Sequence, residues 1–255
     1  MHKNADKLLQ KRFPCAIHKP SSDRVKKTLK MNYDFWKLWN RYNEMGMFNI
    51  SYTWLAKTMI LNFTLYCIMF YACYNYADNW FMNGILVGMV IHSGGFMTHD
   101  ACHSYVCETQ FWNKVCSWIG GDLTFGVSSK WWKDEHEIHH SIPNVYDPSI
   151  PTISDPQAFE DIWRQDKKVL NIVEHFYQPF VFKYQHYLSL PLVIILGRYG
   201  IIVDCWIDQL KKKRWRNLLG FVLHWCWVIT LMRWQTNYML FYFTFNNYQG
   251  LLSLQ

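Results

Sequence analysis

The sequence predicts an all-α integral membrane protein with about four transmembrane helices and further helices lying in the interface. Three observations lead there. The 255 residues are 51% hydrophobic and 18% aromatic, with 14 Trp, 16 Tyr and 17 Phe, and Trp and Tyr collect where lipid meets water. Two twenty-residue stretches, Thr58 to Ala77 and Asn79 to Thr98, hold no Asp, Glu, Lys or Arg. Basic residues gather beside the apolar runs: nine Lys or Arg against two Asp in the first thirty residues, and a second block at 211–216. A slightly negative mean hydropathy excludes a chain mostly immersed in lipid and leaves room for a substantial polar part.

Residues 1–53 are polar, basic and dotted with aromatics, and are expected as a cytoplasmic or interfacial segment ahead of a membrane domain at 54–255. Thr58 to Ala77 and Asn79 to Thr98 each cross a hydrocarbon core of ~30 Å at ~1.5 Å per residue. Only Asp78 separates them, which predicts a tight helical hairpin. Two crossings return the chain to the side of the basic N-terminus, so His99 onward is expected in the cytoplasm. The apolar residues of 111–127 are broken by Lys114, Gly120-Gly121 and Asp122, the pattern of a helix lying in the interface. Residues 128–185, rich in Pro, Asp and His, hold no span.

Tyr187 to Val203 is apolar but broken by Arg198 and bounded by Asp204. As a crossing it would carry the 211–216 block to the far side, against the positive-inside tendency; as an interfacial helix it leaves that block cytoplasmic, and this is the expectation. Asn217 to Met232 is then the third crossing, Arg233 to Asn237 the turn, and Tyr238 onward the return. The formal charge of +7 sits in blocks that flank apolar runs, so they read as juxtamembrane anchors on a lipid surface, and no nucleic-acid partner is expected. Eight cysteines form no C-x-x-C pair, as suits a reducing compartment. No cleavable signal peptide is visible.

Of eleven histidines, six fall between His92 and His140. In "THDACHSYV", His99 and His103 stand at i and i+4, one face of a helix. In "KWWKDEHEIHHSIPNVYDP", His136, His139 and His140 stand at i, i+3 and i+4. A lone H-x-x-x-H is often structural; two clusters on one side of the membrane point to a shared metal site in a cytoplasmic, histidine-rich domain. Five imidazoles suit iron, zinc or copper. The second cluster also satisfies H-E-x-x-H, with His136 and His140 on zinc and Glu137 as general base. That scheme leaves His99, His103 and His139 without a role, and Pro143 stops the helix three residues after His140.

The two boxes, H-x-x-x-H after a helical hairpin and H-x-x-H-H some thirty residues on, resemble the membrane fatty acid desaturase and hydroxylase superfamily. "SSKWWKDEHEIHHSIPNVYDPSIPT" and "FKYQHYLSLPLVIILGRYG" are similar to segments of the front-end acyl desaturases. The resemblance implies a di-iron enzyme that uses dioxygen and two electrons to insert a cis double bond in a polyunsaturated acyl chain. It also implies a lipid or acyl-CoA substrate, a cytochrome b5-type electron donor with its reductase, and an endoplasmic reticulum membrane with the boxes facing the cytosol. The implied ligands are His99, His103, His136, His139 and His140. His92, Asp100 and His186 are candidates for orienting those ligands, and Trp131, Trp132 and Lys133 for shaping substrate or head-group entry. His175 and His224 are expected to be structural. The third box of the superfamily, Q-x-x-H-H or H-x-x-H-H, is absent, since no histidine follows His224, and residues 1–53 lack the HPGG motif of a cytochrome b5 domain. The expectation is therefore a chain truncated before its last box. Lipid or sphingolipid hydroxylation, and a non-catalytic truncated relative, are the alternatives.

Overall fold

Residues 23–143, 145, 154–156, 164 and 176–252 are described by the computed structural model, and all regular elements among them are helical. The chain divides into two compact units, Met1–Asn49 and Ile50–Gln255. In the first, α1 (Asp23–Glu44) opens on an acidic residue and carries Arg41 in its last turn, both favourable to the helix dipole. Lys26, Lys30, Lys37 and Arg41 recur on one face, while Phe35 and Trp36 lie away from it and are exposed.

The second unit begins with the hairpin α2 (Tyr52–Asn75) and α3 (Trp80–Cys102). Ser51 caps α2, its hydroxyl accepting from Trp54 N at 3.3 Å. Then come α4 (Gln110–Ser117), a π-helical stretch (Trp118–Phe125) and α5 (Ser129–Ser141). After α6 (Gln178–Lys183), a continuous rod runs through α7 (Gln185–Leu192), a π turn (Val193–Gly197) and α8 (Arg198–Lys211). The last pair is α9 (Trp215–Trp234) and α10 (Tyr238–Leu252).

Helices α2, α3, α9 and α10 share a core of Met69, Cys73, Val87, Val90, Ile91, Val228, Leu231, Phe241 and Phe245. Small residues set the spacing, as in lipid, where close backbone approach replaces hydrophobic driving force. A Cβ at Gly84 would meet Thr244 at 2.8 Å, and one at Gly88 would meet Tyr248 at 2.8 Å. Those pairings rise together along both helices, so α10 runs parallel to α3. The two tight turns therefore meet at one end: Asn83 Nδ2 donates to Gln235 Oε1 at 2.8 Å, Gln235 Nε2 to Cys73 O at 3.1 Å, and Thr236 N to Ala77 O at 3.3 Å. The histidine boxes lie at the other end.

Among the described residues, three helices are long and apolar enough to cross a membrane: Tyr52–Asn75, Trp80–Cys102 and Gln185–Lys211. The hairpin matches the sequence expectation; the third differs, because that run was expected to be interfacial. Conversely α9 and α10, expected as crossings, fall outside the three. The described part of α10 is 15 residues long, and α9 holds four tryptophans together with Arg216, Asn217, His224 and Arg233. Contacts qualify the length argument for Gln185–Lys211. Its π turn lies against the C-terminal end of α10, where a Cβ on Gly250 would be 2.5 Å from Ile194 O. Its far end joins α5 through Asp208, Arg214 and Asp134. Both places are at the histidine end of the bundle.

Candidate metal centre

Four anchors hold α5 across the end of α3. Ser128 caps it, the hydroxyl accepting from Trp131 N at 3.3 Å. The buried carboxylate of Asp122, in the π-helical stretch, accepts from Ser129 Oγ at 2.6 Å, Ser129 N at 3.2 Å and Asn217 Nδ2 at 2.7 Å, so it ties the starts of α5 and α9 together. Lys133 Nζ donates to Cys102 O at 2.9 Å, and Arg214 to Asp134 at 2.8 Å. Gly126 makes the corner between the π-helical stretch and α5 with φ +74, and any side chain there would strike His224 at 2.5 Å.

With α5 so placed, ring nitrogens of His99, His103, His136 and His140 lie within 4.8 Å of one another. Ring centroids are 4.7 Å apart for His99–His103, 4.9 Å for His99–His136, 4.8 Å for His103–His140 and 4.4 Å for His136–His140. Burial, then the neighbouring imidazoles of His140, His99, His103 and His139, pull His136 down to about 4. Burial, then His99 and His140, also lowers His103. Neutral rings present lone pairs, which is the state a metal ligand needs. His136 Nε2 faces His140 Nε2 at 3.0 Å, and His136 Nδ1 is buried without a partner. Four converging imidazoles fit a metal ion of the iron, zinc or copper type.

The remaining candidates are distributed around this group. His139 stands on the flank of α5, 5.7 Å from the His140 ring, with its Nδ1 3.0 Å from each oxygen of Asp155. His99 Nδ1 is likewise 3.0 Å from Asp100 Oδ1. Such a carboxylate fixes tautomer and orientation and leaves Nε2 for a metal. Trp132 stacks on His136 at 4.9 Å, while Trp131 is half-buried beside the cap of α5. His92 shares the face of His99 but lies seven residues earlier and packs on Phe96 at 4.7 Å. His186 packs on Tyr187 at 4.0 Å, in α7. Neither joins the four. His224 is buried between Arg198 and Leu123 O; His175 lies outside the described residues. Glu137, the general base of the H-E-x-x-H scheme, points away, 58% exposed and paired with Lys133 at 3.1 Å.

Two residues escaped the sequence reading. Asp155 is 1% exposed and sixteen positions from the ring it holds, with no periodic signal to connect them. Asp122 was visible only as a polar interruption of an apolar run; its position within that run, on a buried face, is what gives it three donors.

Comparison with known proteins places this geometry in context. The family model described as fatty acid desaturase matches residues 78–253, from the start of α3 to the end of α10. A Delta(8)-fatty-acid desaturase of Euglena gracilis is 26% identical over 75% of this chain and 46% of its own length. One from Helianthus annuus is 24% identical over 76% of this chain and 44% of its own. A Delta 8-(E)-sphingolipid desaturase of Candida albicans is 27% identical over 76% and 35%. The chain thus spans less than half the length of these curated relatives. No solved structure matches. The family match covers both histidine boxes and the helices that bring them together, and the chain belongs to the fatty acid desaturase family.

Proposed function

We propose that this chain forms the histidine-box portion of a membrane fatty acyl desaturase that inserts a cis double bond into a polyunsaturated acyl chain. The observation that carries the reading is the meeting of four imidazoles from α3 and α5 at one end of an apolar helix bundle. His99, His103, His136 and His140 would hold iron, with His139 as the fifth ligand of a di-iron centre, and iron so bound supplies the dioxygen chemistry that removes two hydrogens from adjacent methylenes. The protein's own groups do the rest. Asp100 and Asp155 fix the imidazoles of His99 and His139. Trp132 covers one face of His136 and keeps water from it. The bundle offers an acyl chain an apolar route to the site.

The reading extends to a cytochrome b5-type donor with its reductase, and to an endoplasmic reticulum membrane with both boxes cytosolic. The Delta 8-(E)-sphingolipid desaturases among the relatives favour one further reading, a sphingolipid chain as substrate. The test is elemental analysis of the detergent-extracted chain. Iron bound in preference to zinc, and lost in His136→Ala and His99→Ala, is expected. Stoichiometric zinc, kept in His99→Ala but lost in His136→Ala, would overturn the reading in favour of a zinc site. Lipid analysis of yeast membranes carrying the protein separates acyl from sphingoid products.

A further inference from the structure

A cavity of about 520 Å³ lies under α5, between the end of α3, α4 and the start of α9. Its size is that of a small-ligand site. Phe111, Val115, Trp118 and Leu219 supply apolar wall, and Lys114, Lys130, Lys133 and Arg216 supply four cations, while no Asp or Glu lines it. Lys130 is paired with Asp134, and Lys133 with Glu137. Lys114 and Arg216 have no ion pair among the described residues, and both are exposed. The walls are fixed rather than fortuitous: Trp118 Nε1 donates to Arg216 O at 2.9 Å, closing α9 onto the π-helical stretch.

The cavity adjoins the elements that carry the histidines. Ser129 and Lys133, in its lining, fall at the same helical phase of α5 as His136 and His140, with successive spacings of four, three and four. At ~1.5 Å per residue, Lys133 is about 4.5 Å along the axis from His136. On the α3 side, the carbonyl that Lys133 holds belongs to Cys102, the residue before His103. The part of the cavity lined by Cys102 and Lys133 therefore lies within one helical turn of His103 and His136.

We infer that this cavity is the seat of a membrane phospholipid, its phosphate held by Lys114 and Arg216 and its acyl chain lying along Phe111, Trp118 and Leu219. The inference deepens the desaturase reading and rests on it for the fate of the chain. Two features favour a bilayer lipid over a soluble acyl carrier. Phe111 and Leu219 at the lip are 66% and 56% exposed, an apolar edge that a bilayer covers and water does not. The 211–216 block adjoins the mouth, and such clusters beside a membrane attract phosphate-bearing lipids.

The test uses the full chain in detergent micelles with a phospholipid bearing a diazirine on its acyl chain. Labelled peptides are then mapped by mass spectrometry. Labelling at 101–118 and 215–219 is expected, competed by unlabelled phosphatidic acid but not by diacylglycerol of the same chains. Lys114→Glu with Arg216→Glu is expected to cut it roughly tenfold, the factor that about 1.4 kcal/mol represents. Competition is measured on the unaltered chain, so a folding defect in the variant leaves that arm intact. Equal competition by diacylglycerol, displacement by acyl-CoA alone, or labelling elsewhere would each overturn the inference. Labelling needs neither iron nor dioxygen. Specific labelling without iron binding would sink the desaturase reading alone, and iron binding without this labelling would sink the lipid seat alone.

Discussion

Gly94 sits in α3, five residues before His99, where α3 crosses the π-helical stretch. A Cβ there would lie 2.4 Å from Thr124 Cγ2, 2.7 Å from Thr124 Cβ and 2.8 Å from Gly120 O. None of these can swing aside. Thr124 is held by Tyr66 and by Ile119 O at 2.8 Å, and the Gly120 oxygen is backbone. Reaching an ordinary contact of 3.4 Å with that oxygen requires the two elements to part by about 0.6 Å, and Thr124 asks for more. Overpacking of this kind costs ~1–3 kcal/mol. Because backbone must move, Gly94→Ala belongs at the upper end of that range.

The consequence reaches the metal ligands. His99 and His103 travel with α3, whereas His136 and His140 are fastened to the π-helical stretch through Asp122 and Ser129. Parting the two elements pulls the pairs of imidazoles apart, and metal–ligand distances tolerate only ~0.2 Å. Gly94→Ala is therefore expected to lose about 2–3 kcal/mol of stability and roughly tenfold in metal affinity, the lower end of what misplaced ligand supports cost. Thermal unfolding and metal per chain at limiting metal, both in nanodiscs, read these out. Gly200→Ala in α8 is the control. A Cβ there meets nothing within 4 Å, so it should be neutral or stabilising by up to ~1 kcal/mol. If Gly94→Ala matched the parent protein in both measurements, close packing at this crossing would not be what registers the two boxes.

Burial pushes Asp122 up to about 7 from 3.8, against its hydrogen bonds from Ser129 and Asn217. Its protonated form is favoured in the folded chain, so this contribution is complete below about pH 4, fades as pH rises and is gone above about 7; Asp122→Asn should flatten the fall in thermal midpoint across that window, and parallel profiles would refute the argument. Asp155→Asn keeps an acceptor for His139 Nδ1 but removes the charge that makes the ring a stronger donor to metal, so affinity should drop ~10-fold with little change in unfolding; an unchanged affinity would leave Asp155 a purely structural partner. Cysteines placed at Asp78 and Asn237 should label from one side of sealed vesicles, and one at Lys212 from the other, since the two turns are bonded together; labelling of all three from one side would contradict the bundle.

The hairpin was legible because freedom from charge over twenty residues has few other readings, and Asp78 marked its turn. The third span was harder. Gln185–Lys211 has 27 residues and Trp215–Trp234 has 20, both enough to cross, and what tells them apart is contact: α9 reaches the Gln235 clasp at the turn end, whereas the other rod has its π turn and its far end near the histidines. Sequence hydropathy sees neither fact. It favours the rod, whose Ile and Leu count for more than the tryptophans of α9, although Trp225 and Trp227 pack into the shared core.

The histidine cluster shows where sequence reading stops. Spacing alone puts His136 and His140 on one face of a helix, and that is as true of a zinc protease as of a histidine-box enzyme. The ambiguity lies in the partner surface, not in the motif. It narrows when His99 and His103 arrive from α3 at 4.9 Å and 4.8 Å, because four imidazoles then share a space in which a zinc protease needs only one further ligand and a water. His139 is the converse case. Its spacing earned it a place among five equivalent ligands, yet it is set 100° around α5 from His140, and its bearing is decided by a carboxylate sixteen residues downstream. Substituting His139 should therefore weaken metal binding less than substituting His136, which has a ring on three sides. Equal losses from the two alanine variants, measured at limiting metal, would show that His139 turns fully into the group when metal is present.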